Sequence, residues 1–185
     1  SMDLKNTRIN YKKKAINYNN VFDNPIDFFI EWINEAFTNK CLEPNAFVLS
    51  TIEQNTPTSR VLLLKNIEKD GFVFYTNYDS SKSKHINTNN NVALNFFWPE
   101  LERQVRVIGC AYKINDVLSD EYFASRPRES QFGAILSNQS SKIDFNYDFV
   151  SKQNLLKEKY KNKKIERPIN WGGFKVVAAK IEFWQ

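Results

Sequence analysis

Between Ala46 and Ile114 the chain breaks into short β-branched or aromatic segments separated by polar turns, and few folds accept that texture. Strand character is expected over 46–51, 58–64, 71–76, 92–97 and 102–114, with a last strand over 174–183 after Trp171-Gly172-Gly173. Glu53-Gln54-Asn55-Thr56-Pro57 joins the first two strands and Glu68-Lys69-Asp70-Gly71 the next pair, and both connections read as antiparallel hairpins. Helices are expected around these strands rather than alternating with them. Asn24-Pro25-Ile26-Asp27 reads as a cap, a first-turn proline and an early acidic residue. Phe28, Phe29, Trp32, Ile33 and Phe37 follow at helical spacing, which predicts an amphipathic helix over 25–38. Shorter helical stretches are expected over 80–90, after Ser119, after Arg128 and near 147–160. The pattern is that of a mainly β, α+β protein: six antiparallel strands in a small β-barrel with peripheral helices.

A chain of 185 residues suits one domain, or a subunit that completes its core by dimerisation. Residues 1–23, polar and rich in lysine and asparagine, are expected to be a mobile segment ahead of a single domain over 24–185. Fifteen Phe, eight Tyr and four Trp favour a packed core and leave room for an aromatic-walled ligand site. No apolar run approaches the roughly 20 residues that cross a bilayer. Cys41 and Cys110 lie in separate apolar contexts without metal-like spacing, so a reducing cytoplasm is the expected compartment and no metal is expected. The single histidine, His85, sits among lysines and reads as part of a polar helix start, which argues against zinc and Ser-His-Asp chemistry. The net charge of +5 comes largely from lysine runs near 12–14 and 157–164, which read as solvated faces. A basic nucleic-acid-binding barrel rests on that charge and the aromatics alone, with no recognition motif beside them.

Neither GxGxxG nor GxxxxGK[ST] occurs, so any phosphate must be held by side chains and local backbone. The segment Ser125-Arg126-Pro127-Arg128-Glu129-Ser130-Gln131 is one candidate. With Ser119 as the cap of a short helix, Tyr122 and Arg126 share a face, and Pro127 ends the helix before a new turn near Arg128 presents Ser130. A phenol, a guanidinium and a hydroxyl at a helix start suit a small phosphate ester; an ordinary helical corner with solvated arginines is the plainer alternative. Arg60 and Lys65 bracket an apolar strand on opposite faces and suit two different phosphates, or are simply two cations snorkelling at strand ends. Gln104 offers an amide that both donates and accepts, a match for a heterocycle edge. Tyr75-Thr76, Lys82 and the polar stretch Ser137-Asn138-Gln139-Ser140-Ser141 complete the candidates.

Taken in order, Arg60-Val-Leu-Leu-Leu-Lys65, Phe74-Tyr75-Thr76-Asn77, Leu101-Glu-Arg-Gln104-Val, Tyr122-Phe-Ala-Ser-Arg126-Pro-Arg-Glu-Ser130-Gln, Gln139-Ser140-Ser141 and Trp171-Gly172-Gly173-Phe174 resemble the pyridoxine/pyridoxamine 5'-phosphate oxidase family. The likeness runs from about Arg8 to Gln185. It implies a split β-barrel homodimer with two FMN molecules at the subunit interface. It also implies oxidation of pyridoxine or pyridoxamine 5'-phosphate to pyridoxal 5'-phosphate, with oxygen reduced to hydrogen peroxide. By the same resemblance Arg60, Val61, Leu62, Leu63, Leu64, Lys65, Tyr75, Thr76 and Lys82 contact FMN, with Arg60 and Lys82 at its phosphate. Gln104, Gln139, Ser140 and Trp171 complete the flavin site from both subunits. Lys65, Tyr122, Arg126 and Ser130 match the grip on the substrate phosphate, and Arg8 and Tyr11 match a mobile segment that closes over the substrate. No side chain is expected to act as the catalyst, since the flavin carries the chemistry. Two departures stand out. Ser81 occupies the place of a family arginine, and the family's Arg-x-His segment follows the point at which this sequence stops, Gln185. A flavin- or pyridoxal-phosphate-binding protein without turnover is the alternative that this second departure raises.

Overall fold

The helix expected over 25–38 forms as α1 (Pro25–Thr38) in the computed structural model, which describes residues 2, 5–7, 9–10, 12, 24–139 and 148–185. Asn24 caps it by accepting from the Ile26 N–H, and Pro25 fills a first-turn position that has no intrahelical amide partner to lose. Phe28, Phe29, Trp32 and Ile33 are buried as their spacing demands, but Phe37 is 53% exposed. The buried stripe runs through Phe29 and Ala36, and Phe37 is turned about 100° from Ala36 at the helix end.

Among the described residues seven strands form one antiparallel sheet: β1 (Ala46–Glu53), β2 (Thr56–Leu63), β3 (Asn66–Glu68), β4 (Gly71–Asn77), β5 (Asn91–Trp98), β6 (Arg103–Lys113) and β7 (Trp171–Trp184). Their order is β2-β1-β5-β6-β7-β4-β3. The expected β1–β2 hairpin forms around Gln54, whose φ of 54° supplies the left-handed turn, and its register sets Thr51 opposite Thr58 and Leu49 opposite Arg60. The count of six strands is corrected to seven. β3 is three residues long with polar ends, too short to show a period, and it, not β2, forms the hairpin with β4. β2 and β3 lie at opposite edges of the sheet, yet only Leu64 and Lys65 separate them. Leu64 N–H donates to Asn45 O and Lys65 N–H to Val73 O, which ties the link to both edges.

The sheet curls its inner face around α1. Phe29, fully buried, meets Phe72 and Phe96 at ring-centroid distances of 4.9 and 4.8 Å, and Phe47, Leu94, Val105, Val107 and Phe174 fill the same core. Among the described residues four further α-helices stand at the margins: α2 (Ser81–Thr88), α3 (Asp116–Ser125), α4 (Arg128–Gln139) and α5 (Phe149–Lys159). Ser80 caps α2, with its side chain accepting from Ser83 N–H. The cap of α3 is Asn115, which accepts from Val117 N–H; Ser119, expected in that role, is fully buried and accepts from Gly173 N–H instead. An asparagine followed by an acidic first turn outcompetes a serine four residues later as a helix start. A second apolar cluster, including Phe123, Phe132, Leu156, Ile165 and Trp171, joins α3, α4 and α5 to the start of β7. The outer face of the sheet leaves Val61 (66%), Phe97 (57%), Ile108 (48%) and Trp184 (58%) exposed. No helix among the described residues is long and apolar enough to cross a membrane.

Candidate functional site

Alternation along β4 gives the site its layout. Thr76 turns to one side of the strand, where it is buried, and Tyr75 turns to the other. On the Thr76 side, Lys82 Nζ donates to Thr76 Oγ1 at 3.0 Å. Arg60 lies near, its Nη1 donating to Thr51 Oγ1 at 2.7 Å and to Leu49 O at 3.3 Å, and its Nη2 donating to Thr58 Oγ1 at 2.8 Å. Burial lowers the pKa of Arg60. Burial and then the charge of Arg60 lower that of Lys82. Two half-buried cations that raise each other's energy make a site ready for an anion.

On the Tyr75 side, a cleft of about 320 Å³ is lined by Lys65, Glu68, Tyr75, Leu118, Glu121 and Tyr122 among others. Tyr75 stacks on Tyr122 at 3.9 Å and on Trp171 at 5.4 Å, all three rings nearly parallel. The Arg126 guanidinium lies 4.6 Å over the Trp171 ring. Arg126 is the C-cap of α3, and its extended backbone (ψ 148°) ahead of Pro127 turns the chain into α4, as the Arg-Pro step predicts. Its Nη1 is buried with no hydrogen-bond partner among the described residues. Burial lowers the pKa of Arg126 while Tyr122 opposes that shift. Burial raises the pKa of Tyr122 against the pull of Arg126, so the phenol keeps its proton and remains a donor at neutral pH. Ser130 follows in the first turn of α4, half-buried.

The remaining expected residues divide. Val61 and Leu63 face outward from β2, Leu62 is half-buried, and Leu64 is buried in the core. Gln104 stands on the outer sheet face, its Oε1 accepting from Asn95 Nδ2 at 2.8 Å, in a groove of about 500 Å³ with Val48, Phe97 and Trp184. Trp171, expected at the flavin, is 6% exposed and lies beside Tyr75, which is expected there too, and beneath Arg126. Arg8, Tyr11, Ser140 and the Gln139 side chain lie outside the described residues. Several contributors were not singled out in the sequence. Thr51 and Thr58 are the acceptors for Arg60, and the two-residue hairpin turn already fixes their pairing. Arg167 donates to Asp120 at 2.7 Å and to Trp171 O at 2.6 Å, fixing the start of β7; no local pattern marks that role. Among the described residues, no cluster of His, Cys, Asp and Glu suits a metal ion.

The family model described as pyridoxamine 5'-phosphate oxidase matches residues 33–153. A pyridoxine/pyridoxamine 5'-phosphate oxidase of Haemophilus ducreyi is 46% identical over 184 residues, spanning 100% of this chain and 88% of that protein. One of Leptospira interrogans is 44% identical over 179 residues, spanning 96% and 84%. Among solved structures, PhzG from Burkholderia lata in complex with tetrahydrophenazine-1-carboxylic acid superposes with a TM-score of 0.86 at 20% identity, covering 93% of this chain and 86% of that one. A pyridoxamine 5'-phosphate oxidase-related, FMN binding protein from Nostoc punctiforme superposes with a TM-score of 0.68 at 14% identity, covering 83% and 82%. These two likenesses establish the shared fold.

The stacked phenols carry a pH consequence. Burial, and then Tyr122, push Tyr75 from its ordinary 10.0 up to about 12. Between those values the folded chain holds a proton that the unfolded chain has released, so this contribution is complete below about pH 10 and declines as pH rises towards about 12. Urea unfolding of the parent and of Tyr75→Phe across that window checks it, with a shallower decline expected in the variant.

Proposed function

The chain belongs to the pyridoxamine 5'-phosphate oxidase family, and we propose that it oxidises pyridoxine 5'-phosphate or pyridoxamine 5'-phosphate to pyridoxal 5'-phosphate with FMN as its cofactor. The observation that carries this reading is the pair of cationic grips on opposite sides of β4, since the reaction needs two phosphates held apart in fixed register. Arg60 and Lys82 fit the flavin phosphate: both are half-buried, each lacks a carboxylate partner among the salt bridges of the described residues, and both keep N–H donors beyond those used internally. Lys65 and Tyr122 line the cleft, Arg126 lies over the neighbouring Trp171 ring, and together with Ser130 they are assigned to the substrate phosphate; the unpartnered Nη1 of Arg126 is the donor that most needs such a ligand.

FMN, when bound, supplies the redox chemistry: the vitamer is oxidised at C4' and oxygen is reduced to hydrogen peroxide. For the amine, water then replaces nitrogen and ammonia leaves. The chain's own residues bind and orient. Lys65 and Arg126 neutralise the substrate phosphate, Tyr122 donates a hydrogen bond to it, and the Trp171 face holds Arg126 in place. Gln104, steadied by Asn95, offers donor and acceptor to the flavin ring edge, and on the family likeness the stretch from Val61 to Leu64, Tyr75-Thr76 and Trp171 wall the cofactor. Gln139 and Ser140 complete the flavin site, and Arg8 and Tyr11 close over the substrate, on the family likeness alone.

The sheet is read as a split barrel, supported by edge strands that only Leu64 and Lys65 separate. A second copy of the chain covers the outer face, a homodimer supported by the exposed Val61, Phe97, Ile108 and Trp184 around Gln104. Cys41 and Cys110 form no disulfide among the described residues, which suits a reducing cytoplasm. A charge at the centre of that face should separate the subunits: Phe97→Asp is expected to sediment with the mass of one chain and to lose retained flavin. Sedimentation as a dimer with flavin bound would count against this face. For the substrate grip, Arg126→Ala is expected to raise KM for pyridoxine 5'-phosphate roughly 10- to 100-fold while the protein stays yellow. Loss of flavin from that variant would contradict the assignment of Arg126.

A further inference from the structure

The proposed reaction gives no role to His85, the single histidine. Its side chain is 11% exposed on α2, with Nδ1 3.1 Å from Thr51 Oγ1 and 3.3 Å from Thr58 Oγ1, and Nε2 3.4 Å from Glu53 Oε2. The same two threonine oxygens receive Nη1 and Nη2 of Arg60. Glu53, His85, the two threonines and Arg60 therefore form one connected set of polar contacts.

Counting hydrogens selects one arrangement of that set. A carboxylate only accepts, so in the neutral ring the nitrogen facing Glu53 carries the hydrogen and Nδ1 is the acceptor. Nδ1 takes the hydroxyl hydrogen of one threonine, and the hydroxyls are 3.1 Å apart, so the other threonine donates to the first. Both oxygens then present lone pairs to Arg60. Of the five N–H groups of a guanidinium, three go to Leu49 O, Thr51 Oγ1 and Thr58 Oγ1. The Nε–H and the second Nη2–H remain, and these neighbouring donors are the pair that can take two phosphate oxygens at once.

We propose that His85 is a positioning residue for the flavin phosphate: it fixes the Thr51 and Thr58 hydroxyls as acceptors and so holds the Arg60 fork with its free edge turned to the ligand. This rests on Arg60 being the phosphate grip. Without the ring acceptor either hydroxyl can rotate its hydrogen toward Arg60, and the fork loses its fixed orientation.

Dissociation constants for FMN and for riboflavin, which lacks the phosphate, measured by flavin fluorescence on the full chain, test the proposal. His85→Leu is expected to weaken FMN roughly tenfold, the scale of one charge-assisted hydrogen bond, and to leave riboflavin unchanged. His85→Asn should recover most of the loss, because its side-chain oxygen stands where Nδ1 did. His85→Gln, whose amide reaches the Nε2 position, should not. Adding His85→Leu to Arg60→Met should cost little beyond Arg60→Met alone. Equal losses for FMN and riboflavin, equal behaviour of Asn and Gln, or full additivity with Arg60→Met would overturn the role of His85. Unchanged FMN affinity in Arg60→Met would overturn the phosphate grip and this proposal together, whereas a loss there beside an unaffected His85→Leu would overturn this proposal alone.

Discussion

Leu63 and Asn66 end strands at opposite edges of one sheet, with only Leu64 and Lys65 between them. At extended-chain reach, the gap from one to the other is at most roughly 10 Å. A flat seven-stranded sheet cannot satisfy that, because its outer strands are separated by six spacings of nearly 5 Å each. The sheet must curl, and the curl needs a filling, which α1 supplies with Phe29, Trp32 and Ile33. The same short link sets the chemistry. Arg60, before it, pairs with Leu49 on the inner face of β2, and Lys65, after it, enters the cleft of Tyr75 and Tyr122. Two cations five residues apart in sequence are thereby delivered to two different sites.

Each site is electrostatically incomplete in its own way. Burial, and then the charge of Arg60, lower the pKa of Lys82, and both cations have threonine oxygens rather than carboxylates as their side-chain partners. Arg126 rests on the Trp171 ring with one buried donor unspent. A neutral hydrogen bond or an aromatic face orients a cation without cancelling its charge, and that leaves it available to a dianion. Several other cations have carboxylate partners: Arg103 pairs with Glu35, Arg167 with Asp120, Lys175 with Glu68 and Asp70.

Much of this was legible in the sequence where local rules decide. Asn24-Pro25 and the apolar spacing gave α1 its bounds, the Arg-Pro step ended α3, and the polar connection over 53–57 marked the β1–β2 hairpin. The failures are non-local. β3 exists only because β4 offers it a partner, and Ser119 is turned inward by Gly173. In the site, Tyr122 and Arg126 were readable as a pair from their spacing, but the Trp171 face beneath them comes from a strand 45 residues later than Arg126. His85 looked like one more polar residue at a helix start, and only the packing of α2 on β1 reveals its threonine partners.

In the proposed function, two phosphate grips on either side of β4 hold a B6 vitamer against a flavin for oxidation. Anaerobic mixing of the FMN-loaded protein with pyridoxine 5'-phosphate tests it, with the flavin absorption band near ~450 nm as the reporter of the redox step. The band should bleach and return on admission of air, and unphosphorylated pyridoxine at the same concentration should bleach it far less. A band that pyridoxine 5'-phosphate leaves unchanged, in protein that has bound FMN, would contradict the oxidase reading.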